Sequence, residues 1–285
     1  MTRPGDAAPT DLHWFRIAVV GVLAGFTSGL FGVGGGIVMV PGLVLVAGFP
    51  QKLATGTSLS AIIPISVAGI AGYASDGEVD WVVAACVTCG AVVGALVGTR
   101  LLVRISAPLL QLLFAGAMLA GGAKLLFDEV DALGRGELTL TMAAGLLLLG
   151  VASGVLAGLL GVGGGIVIVP LLSIAFGVPH VLAKGTSLAV ILPTAIMGTI
   201  RNRRTQLTAL RPAMGVGMAG VISALLASQI SLELDPSVSR ALFAVLLVAA
   251  AVRLGHTGWV SLREEAGSVS DPPAAPDRTD DRQVG

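Results

Sequence analysis

Two glycine-rich segments contain the backbone groups best placed to bind a ligand. The motif Gly-Val-Gly-Gly-Gly occupies residues 32–36 and again 161–165, and an apolar segment with a proline in its first turns follows each copy. Because glycine clusters break helices, we expect a new helix to start there. Free N–H groups at a helix start, reinforced by the helix dipole, bind anions. Close helix packing in lipid is the alternative interpretation. The predicted anion-binding glycines are Gly34, Gly35, Gly36, Gly163, Gly164 and Gly165.

A second repeated motif supplies side-chain hydroxyl groups. Gly-Thr-Ser-Leu occurs at residues 56–59 and 185–188, where it is predicted to begin the next span. Hydroxyl groups at that position cap a helix, and they would also serve a polar substrate site. Lys184 replaces Thr55 of the first copy. This lysine either snorkels to the surface or holds an anion. The candidate substrate-binding side chains are Thr57, Ser58, Lys184, Thr186 and Ser187.

The elements that position these residues are predicted to lie in a membrane. Of the 285 residues, 54% are hydrophobic and 12% are charged, whereas a soluble domain has about 25% charged residues. Asp and Glu are absent from residues 12–75, 81–127 and 138–232. Since a spanning helix needs roughly 20 apolar residues, these intervals are expected to cross the bilayer, which leaves no room for a soluble catalytic domain. The predicted apolar segments are 15–47, 57–73, 81–103, 108–127, 138–177, 186–200, 210–230 and 236–254.

The chain consists of two copies of one unit. The segment that starts at Gly21 recurs at Gly150, and the same offset of 129 residues relates Pro64 to Pro193. Both long first segments are interrupted by the glycine-rich motif. We therefore predict that each copy is a glycine-broken helix hairpin followed by three spans. The fold class is an all-α polytopic membrane protein with roughly eight to ten membrane segments.

Equivalent loops of the two copies carry opposite charge. The loop at residues 76–80 is acidic, whereas its counterpart at residues 201–211 contains four arginines. The next loop reverses this bias, with Arg100 and Arg104 in the first copy and Glu233 and Asp235 in the second. Because cytoplasmic loops collect Lys and Arg, the copies are predicted to face opposite sides of the membrane, as in an inverted repeat.

The predicted boundaries follow from these patterns. Residues 1–15 form a cytoplasmic tail, 16–127 the first membrane repeat, 128–137 a connecting loop, 138–256 the second membrane repeat, and 257–285 a disordered cytoplasmic tail. The last segment is rich in Asp, Arg, Pro and Ala and has little apolar surface to bury. No small-residue cleavage site soon follows the first apolar segment, so no signal peptide is expected.

Other kinds of chemistry find little support in the sequence. The net charge is zero, and without a basic stripe nucleic acid is not expected as a partner. The three histidines lie at segment ends, so we identify no base beside a serine and expect neither enzyme activity nor a cofactor. Cys86 and Cys89 are interpreted as small buried thiols rather than as a redox or metal site. The spans contain no carboxylate for a proton relay, so any ion coupling must use hydroxyls, backbone carbonyls or the substrate itself.

The repeated motifs resemble those of the sulfite exporter TauE/SafE family of membrane permeases. The matching segments are GLFGVGGGIVMVP and ATGTSL between residues 29 and 59, and GLLGVGGGIVIVP and AKGTSL between residues 158 and 188. The resemblance extends from residue 17 to residue 254. It implies transport of small sulfur-containing or organic anions, such as sulfite, sulfonates, sulfoacetate or thiosulfate, across the bacterial inner membrane.

The combined interpretation is a permease for a small anion that works by alternating access between two halves. The anion and the lipid bilayer are the expected partners, and coupling to protons is left open, as is the oligomeric state. Two alternatives also stay open. One is an anion-selective channel, which needs no coupling carboxylate. The other is an intramembrane enzyme or subunit that does not transport.

Overall fold

The regular structure of the described residues is entirely helical. The computed structural model describes residues 13–101, 139–204 and 208–268, together with the isolated residues 112, 115, 116, 119 and 123. We number the helices of these residues α1 to α9 in chain order. Their bounds are Trp14–Phe31 for α1, Gly36–Leu45 for α2, Gln51–Ala74 for α3, Trp81–Leu101 for α4, Leu140–Leu160 for α5, Gly165–Phe176 for α6, His180–Arg204 for α7, Leu210–Glu233 for α8 and Pro236–Ser268 for α9.

Six of the described helices contain a segment long and apolar enough to cross a membrane, judged by length and composition. These segments are Trp14–Phe31, Leu53–Ala74, Leu140–Gly158, His180–Arg204, Leu210–Glu233 and Ser237–Val260. Large apolar side chains also lie on the outside of the bundle, where Phe15, Leu148 and Ile222 are 81%, 71% and 69% exposed. Because soluble proteins rarely expose large apolar patches, these faces are suited to contact lipid. The predicted all-α polytopic membrane fold is confirmed.

The glycine-rich segments break the chain into helix hairpins, as predicted. Gly35 and Gly164, which precede α2 and α6, have φ angles of 70° and 79°. This left-handed conformation costs other residues about 1–2 kcal/mol. With 10 and 12 residues, α2 and α6 are about 15–18 Å long, which is roughly half the thickness of the hydrocarbon core. Each hairpin therefore turns at its glycines and returns through a helix too short to span a bilayer.

A helix of each half packs against a helix of the other half. Helix α1 packs along α8, and α5 packs along α4. A Cβ added to Gly21 of α1 would lie 2.4 Å from the carbonyl O of Val216, and one added to Gly150 of α5 would lie 2.1 Å from that of Val87. These contacts are equivalent at the offset of 129 residues. Glycines outside the Gly-Val-Gly-Gly-Gly motif thus allow close helix packing in both halves.

The equivalent helices α3 and α7 run in opposite directions. Gly69 of α3 faces Leu188 of α7, and Gly198 near the end of α7 faces Leu59 near the start of α3. Rising residue numbers on one helix therefore meet falling numbers on the other. An inverted repeat requires this relation, although the side of the membrane on which each loop lies stays a prediction.

Two boundaries differ from the sequence predictions. Because α3 and α7 start at Gln51 and His180, the Gly-Thr-Ser motifs lie more than a turn inside continuous helices and not at a helix start. Helix α9 extends to Ser268, past residue 257, where the C-terminal tail is predicted to begin. The predicted span at residues 108–127, the loop at 128–137 and most of the N-terminal tail lie largely outside the described residues.

Candidate functional site

The two glycine-rich turns meet inside the protein. A Cβ added to Gly36 would lie 2.6 Å from the Cα of Val162, and one added to Gly165 would lie 2.8 Å from the Cα of Val33. Only residues without a side chain permit this approach of one backbone to another. The structure therefore brings the two sets of predicted anion-binding glycines together, although they are 129 residues apart in the sequence.

Two isoleucines enclose the meeting point of the turns. Ile62 of α3 and Ile191 of α7 are both fully buried, and each lies next to Gly34 and Gly163. The surroundings of the turns are therefore apolar. In such a low-dielectric environment, an electrostatic interaction between a ligand and backbone dipoles is stronger than in water.

The first turns of α2 and α6 have backbone N–H groups without acceptors inside their own helix. In α2, the carbonyl O of Gly35 accepts hydrogen bonds from the N–H groups of Val38 and Met39, at 3.1 and 2.9 Å. The N–H groups of Gly36 and Ile37 precede these and have no intrahelical acceptor. Helix α6 repeats the pattern at the equivalent positions. Each helix start therefore presents a partial positive charge of about half an elementary charge at the turns.

The buried threonines of the Gly-Thr-Ser motifs connect the two halves. Thr57 Oγ1 accepts a hydrogen bond from the backbone N–H of Ala209 at 3.1 Å, and Thr186 Oγ1 accepts one from that of Asp80 at 2.9 Å. Ala209 and Asp80 directly precede α8 and α4, so each threonine oxygen contacts the start of a helix in the other half. The expectation that these hydroxyls cap their own helix is wrong, because the motif lies inside α3 and α7.

The two serines of the motifs differ in their hydrogen bonding. Ser58 Oγ donates to the carbonyl O of Gly161 at 3.2 Å, which pairs a carbonyl at the end of α5. Ser187 is the equivalent residue at the offset of 129, and its buried Oγ has no hydrogen-bond partner in the part of the chain that the structure describes. A buried polar group without a partner costs about 1–3 kcal/mol. Ser187 is thus a donor that is free to bind a ligand.

Lys184 is buried and does not snorkel to the surface. Its side chain is 0% exposed, and its Nζ donates hydrogen bonds to Ser231 Oγ at 2.9 Å and to Ser239 Oγ. A Cβ added to Gly32 would lie 2.5 Å from the Cα of Lys184, which places the lysine backbone directly against the first glycine-rich turn. The interpretation that Lys184 snorkels to the surface is therefore wrong, and the interpretation that it holds an anion stays a prediction.

A cavity lies on one side of the turns. Its volume is about 10 Å³, room for roughly one water molecule, and its lining residues are Leu59, Ala95, Leu96, Ala157, Gly158, Thr194, Met197, Gly198 and Arg201. In the other half, the position equivalent to Gly158 is Gly29, whose carbonyl O accepts a hydrogen bond from the Tyr73 hydroxyl at 2.6 Å. The two halves are therefore not symmetric here. No residue of the predicted site lines the cavity.

The chain as a whole matches one family of membrane proteins. The family model for "Sulfite exporter TauE/SafE" matches residues 2–125 and 146–279, which include both glycine-rich turns and both Gly-Thr-Ser motifs. The chain belongs to the TauE/SafE family. The resemblance of the repeated motifs is thereby confirmed over most of the chain.

Curated relatives of this TauE/SafE protein bear the name of transporters. A protein of Xylella fastidiosa (strain Temecula1) named "Probable membrane transporter protein" is 28% identical over 247 residues, which cover 85% of this chain and 95% of the relative. Proteins of Methanocaldococcus jannaschii (MJ0441) and Bacillus subtilis (YdhB) with the same designation are each 31% identical over 65% of this chain, covering 70% and 76% of their own length. These names support a membrane transporter.

Sequence reasoning missed the polar residues around Lys184 in this TauE/SafE protein. Ser231 Oγ also donates to the carbonyl O of Leu30 at 3.0 Å. Both ring nitrogens of His180, one turn before Lys184, are buried, and no described residue forms a hydrogen bond with them. A comparison of the two copies could have found these polar residues, because the first copy has other residue types at the equivalent positions. At the offset of 129, the residues His180, Lys184, Ser231 and Ser239 correspond to Gln51, Thr55, Leu102 and Leu110.

The two cysteines are not both buried. Cys86 is partly exposed and Cys89 is exposed on the outside of α4. The interpretation as small buried thiols is therefore wrong for Cys89, because its face of α4 points away from the packed interior. The exposed thiol must be removed before any cysteine-labelling experiment.

Proposed function

We propose that this TauE/SafE protein is a multi-pass permease of the bacterial inner membrane that carries a small anion by alternating access. The observation that supports this most is the meeting of two helix N-termini, those of α2 and α6, at paired glycine turns inside an apolar bundle. Unpaired backbone at membrane depth is tolerated where it is buried in protein or lines a polar cavity. Two converging helix starts make a site for negative charge.

The donors at this position favour an anion over a cation or a neutral substrate. Backbone N–H groups, the free hydroxyl of Ser187 and the nearby ammonium of Lys184 all offer hydrogens. The substrate must also be small, because the turns lie in backbone contact. We propose sulfite, an organosulfonate or a related sulfur oxyanion, in keeping with the family's description. The site residues are the six glycines of the turns with Thr57, Ser58, Thr186, Ser187 and Lys184.

Alternating access is supported by the asymmetry of the two halves. A cavity reaches from Arg201 towards the end of α5, whereas the Tyr73 hydroxyl occupies the equivalent place beside Gly29 at the end of α1. In repeat transporters, rocking of one half against the other opens each side in turn. We propose that the cavity beside Arg201 widens in one conformation, and that Tyr73 leaves Gly29 in the opposite one.

The proposed topology places both termini and the arginines of α7 in the cytoplasm and the acidic loop at residues 75–80 outside. Asp76 and Arg203 are both exposed. In a background without Cys86 and Cys89, we expect cysteines at residues 76 and 203 to react with an impermeant maleimide from opposite sides of the membrane. A cysteine in place of Arg263, which is also exposed, is expected to react from the same side as position 203. Labelling of positions 76 and 203 from one side would contradict the inverted topology.

Flux of labelled sulfite into liposomes that contain the purified protein tests the function. We expect saturable uptake that at least one of sulfoacetate, taurine or thiosulfate inhibits, measured with and without a proton gradient. Protein-free liposomes are the control. Non-saturating flux with single-channel currents would instead support an anion channel. Absence of flux when each of the four compounds is supplied in labelled form, to protein shown to be folded, would contradict the proposal and leave the glycine turns with a packing role only.

A further inference from the structure

The structure buries the amine of one lysine, Lys184, whose backbone lies against Gly32 of the first glycine-rich turn. The amine of Lys184 contacts the hydroxyls of Ser231 on α8 and Ser239 on α9. In the described part of the chain, no carboxylate pairs with it. Hydroxyl groups supply dipoles but no negative charge. A charged Lys184 in this conformation is therefore buried without a counter-charge.

The titratable groups on the surrounding elements do not supply that counter-charge. On α7 itself, His180 lies one turn away, and on α3 the Tyr73 hydroxyl donates to Gly29. In the loop before α4, Glu78 lies close to Gly185 through its backbone carbonyl. Burial and the charge of Asp76 raise the pKa of the Glu78 carboxyl.

Asp80 and Asp235 accept hydrogen bonds from their own helix starts, Glu233 is exposed, and Arg240 adds positive charge. Asp80 Oδ1 accepts hydrogen bonds from the N–H groups at the start of α4. Asp235 accepts from the hydroxyl and N–H of Ser237, and these bonds lower the pKa of the Asp235 carboxyl. Glu233 ends α8, two residues after Ser231. Arg240 of α9 adds a second positive charge close enough to act on His180.

Burial makes the charge of such a lysine depend on what lies beside it. Removing an ammonium from water costs several kcal/mol unless a partner of opposite charge compensates. An anion bound at the turns would be that partner, because the backbone of Lys184 lies against Gly32 and its amine contacts Ser231, whose hydroxyl donates to the carbonyl O of Leu30, two residues before Gly32. Without the anion, the neutral amine is favoured. Anion binding and protonation of the amine then strengthen each other by the same factor.

We propose that Lys184 is the proton-binding group that couples anion movement to protons: its amine takes one proton from water when the anion binds and returns it when the anion leaves. This inference rests on the proposed function and adds the coupling ion to it. The first copy has Thr55 at this position. The chain therefore has one such amine for its two glycine turns, and one proton is expected for each anion.

Proton uptake on anion binding tests the proposal directly. Thiosulfate and sulfoacetate are the probes, because their acid groups stay ionised near neutral pH and every counted proton then belongs to the protein. Titration calorimetry of the full chain in two buffers of different ionisation enthalpy gives the number of protons taken up. For the wild type at pH 8 we expect about one proton per anion and a Kd that rises up to about tenfold per pH unit in the alkaline range.

Substitutions separate coupling from a structural role. Lys184→Arg keeps a permanent charge, so we expect it to bind the anion with no proton uptake and a Kd independent of pH. Lys184→Gln is expected to weaken binding at least tenfold and also to take up no proton. Arg203→Gln removes the same charge from an exposed position of the same helix and is expected to behave as the wild type.

The possible results distinguish failure of this inference from failure of the proposed function. Wild-type protein that binds an anion probe without proton uptake, at a Kd independent of pH, overturns the role of Lys184 while the permease remains. Proton uptake by Lys184→Gln that equals wild-type uptake also overturns the role of Lys184. Proton uptake measured on the wild-type protein tests the role of Lys184 even if neither variant folds. Absence of anion binding and of flux in the folded wild type overturns the proposed function and this inference together.

Discussion

Replacing Gly35 by alanine is expected to reduce anion flux by about a hundredfold or more while the protein still inserts into the membrane. The added Cβ would lie 2.3 Å from the carbonyl O of Ala24, and the φ angle of 70° is strained for any residue with a side chain. Since this residue directly precedes α2, the helix start must move. A displacement of about 1 Å at a binding site costs on the order of a hundredfold. Flux of labelled sulfite in liposomes measures the loss.

The control for this substitution is Gly77→Ala in the loop between α3 and α4. Gly77 has a φ angle of 76°, and nothing lies within 4 Å of an added Cβ. It therefore carries the same backbone strain, about 1–2 kcal/mol, without a clash and far from the turns. We expect wild-type flux in this variant with slightly lower thermal stability. The equivalent change in the second half, Gly164→Ala, should resemble Gly35→Ala. Normal flux in both turn variants would exclude the glycines from the site.

Ser187→Ala is expected to weaken anion binding about tenfold and to leave thermal stability unchanged or slightly higher. Among the described residues the Ser187 hydroxyl has no hydrogen-bond partner, so its removal breaks no hydrogen bond there and relieves a buried unsatisfied group. If the anion accepts from this hydroxyl, a charge-assisted hydrogen bond worth about 1.5–3 kcal/mol is lost. Binding is measured as the shift in melting temperature with added thiosulfate.

The matched variant is Ser58→Ala, which should show the opposite pattern. Ser58 Oγ donates to the carbonyl O of Gly161, so its loss leaves a buried carbonyl unpaired and costs about 1–3 kcal/mol of stability. Its effect on anion binding should be smaller than that of Ser187→Ala, because its hydrogen is already used. Equal effects of the two substitutions on both readouts would show that Ser187 contacts no ligand.

The glycine-broken hairpins could be predicted from the sequence because the causes are local. A run of glycines breaks a helix wherever it occurs, and the left-handed φ of Gly35 depends mainly on the residue itself. Membrane insertion is similarly a property of apolar segments that can be counted. The repeat is visible by direct comparison of Gly21 with Gly150. These features need no knowledge of how the segments pack.

The helix starts before the Gly-Thr-Ser motifs could have been predicted but were not. Pro50 and Pro179 directly precede α3 and α7 at equivalent positions, and a proline at that point is a known start signal. Because the polar Thr57 was interpreted as a helix start, the start of α3 was predicted several residues too late. As a result, the roles of the hydroxyls as contacts between halves were not foreseen.

The sequence by itself determined that the chain is a duplicated, all-helical membrane protein with two glycine turns, because composition, repetition and backbone preference act over short distances. Only the tertiary structure decided which polar groups have partners. Ser58 and Ser187 occupy the same position of the repeated Gly-Thr-Ser-Leu motif, yet among the described residues only Ser58 has a hydrogen-bond partner. The buried amine of Lys184 donates hydrogen bonds to two hydroxyl groups that lie 47 and 55 residues away in the sequence. Such contacts arise from packing between distant helices, and no local pattern encodes them.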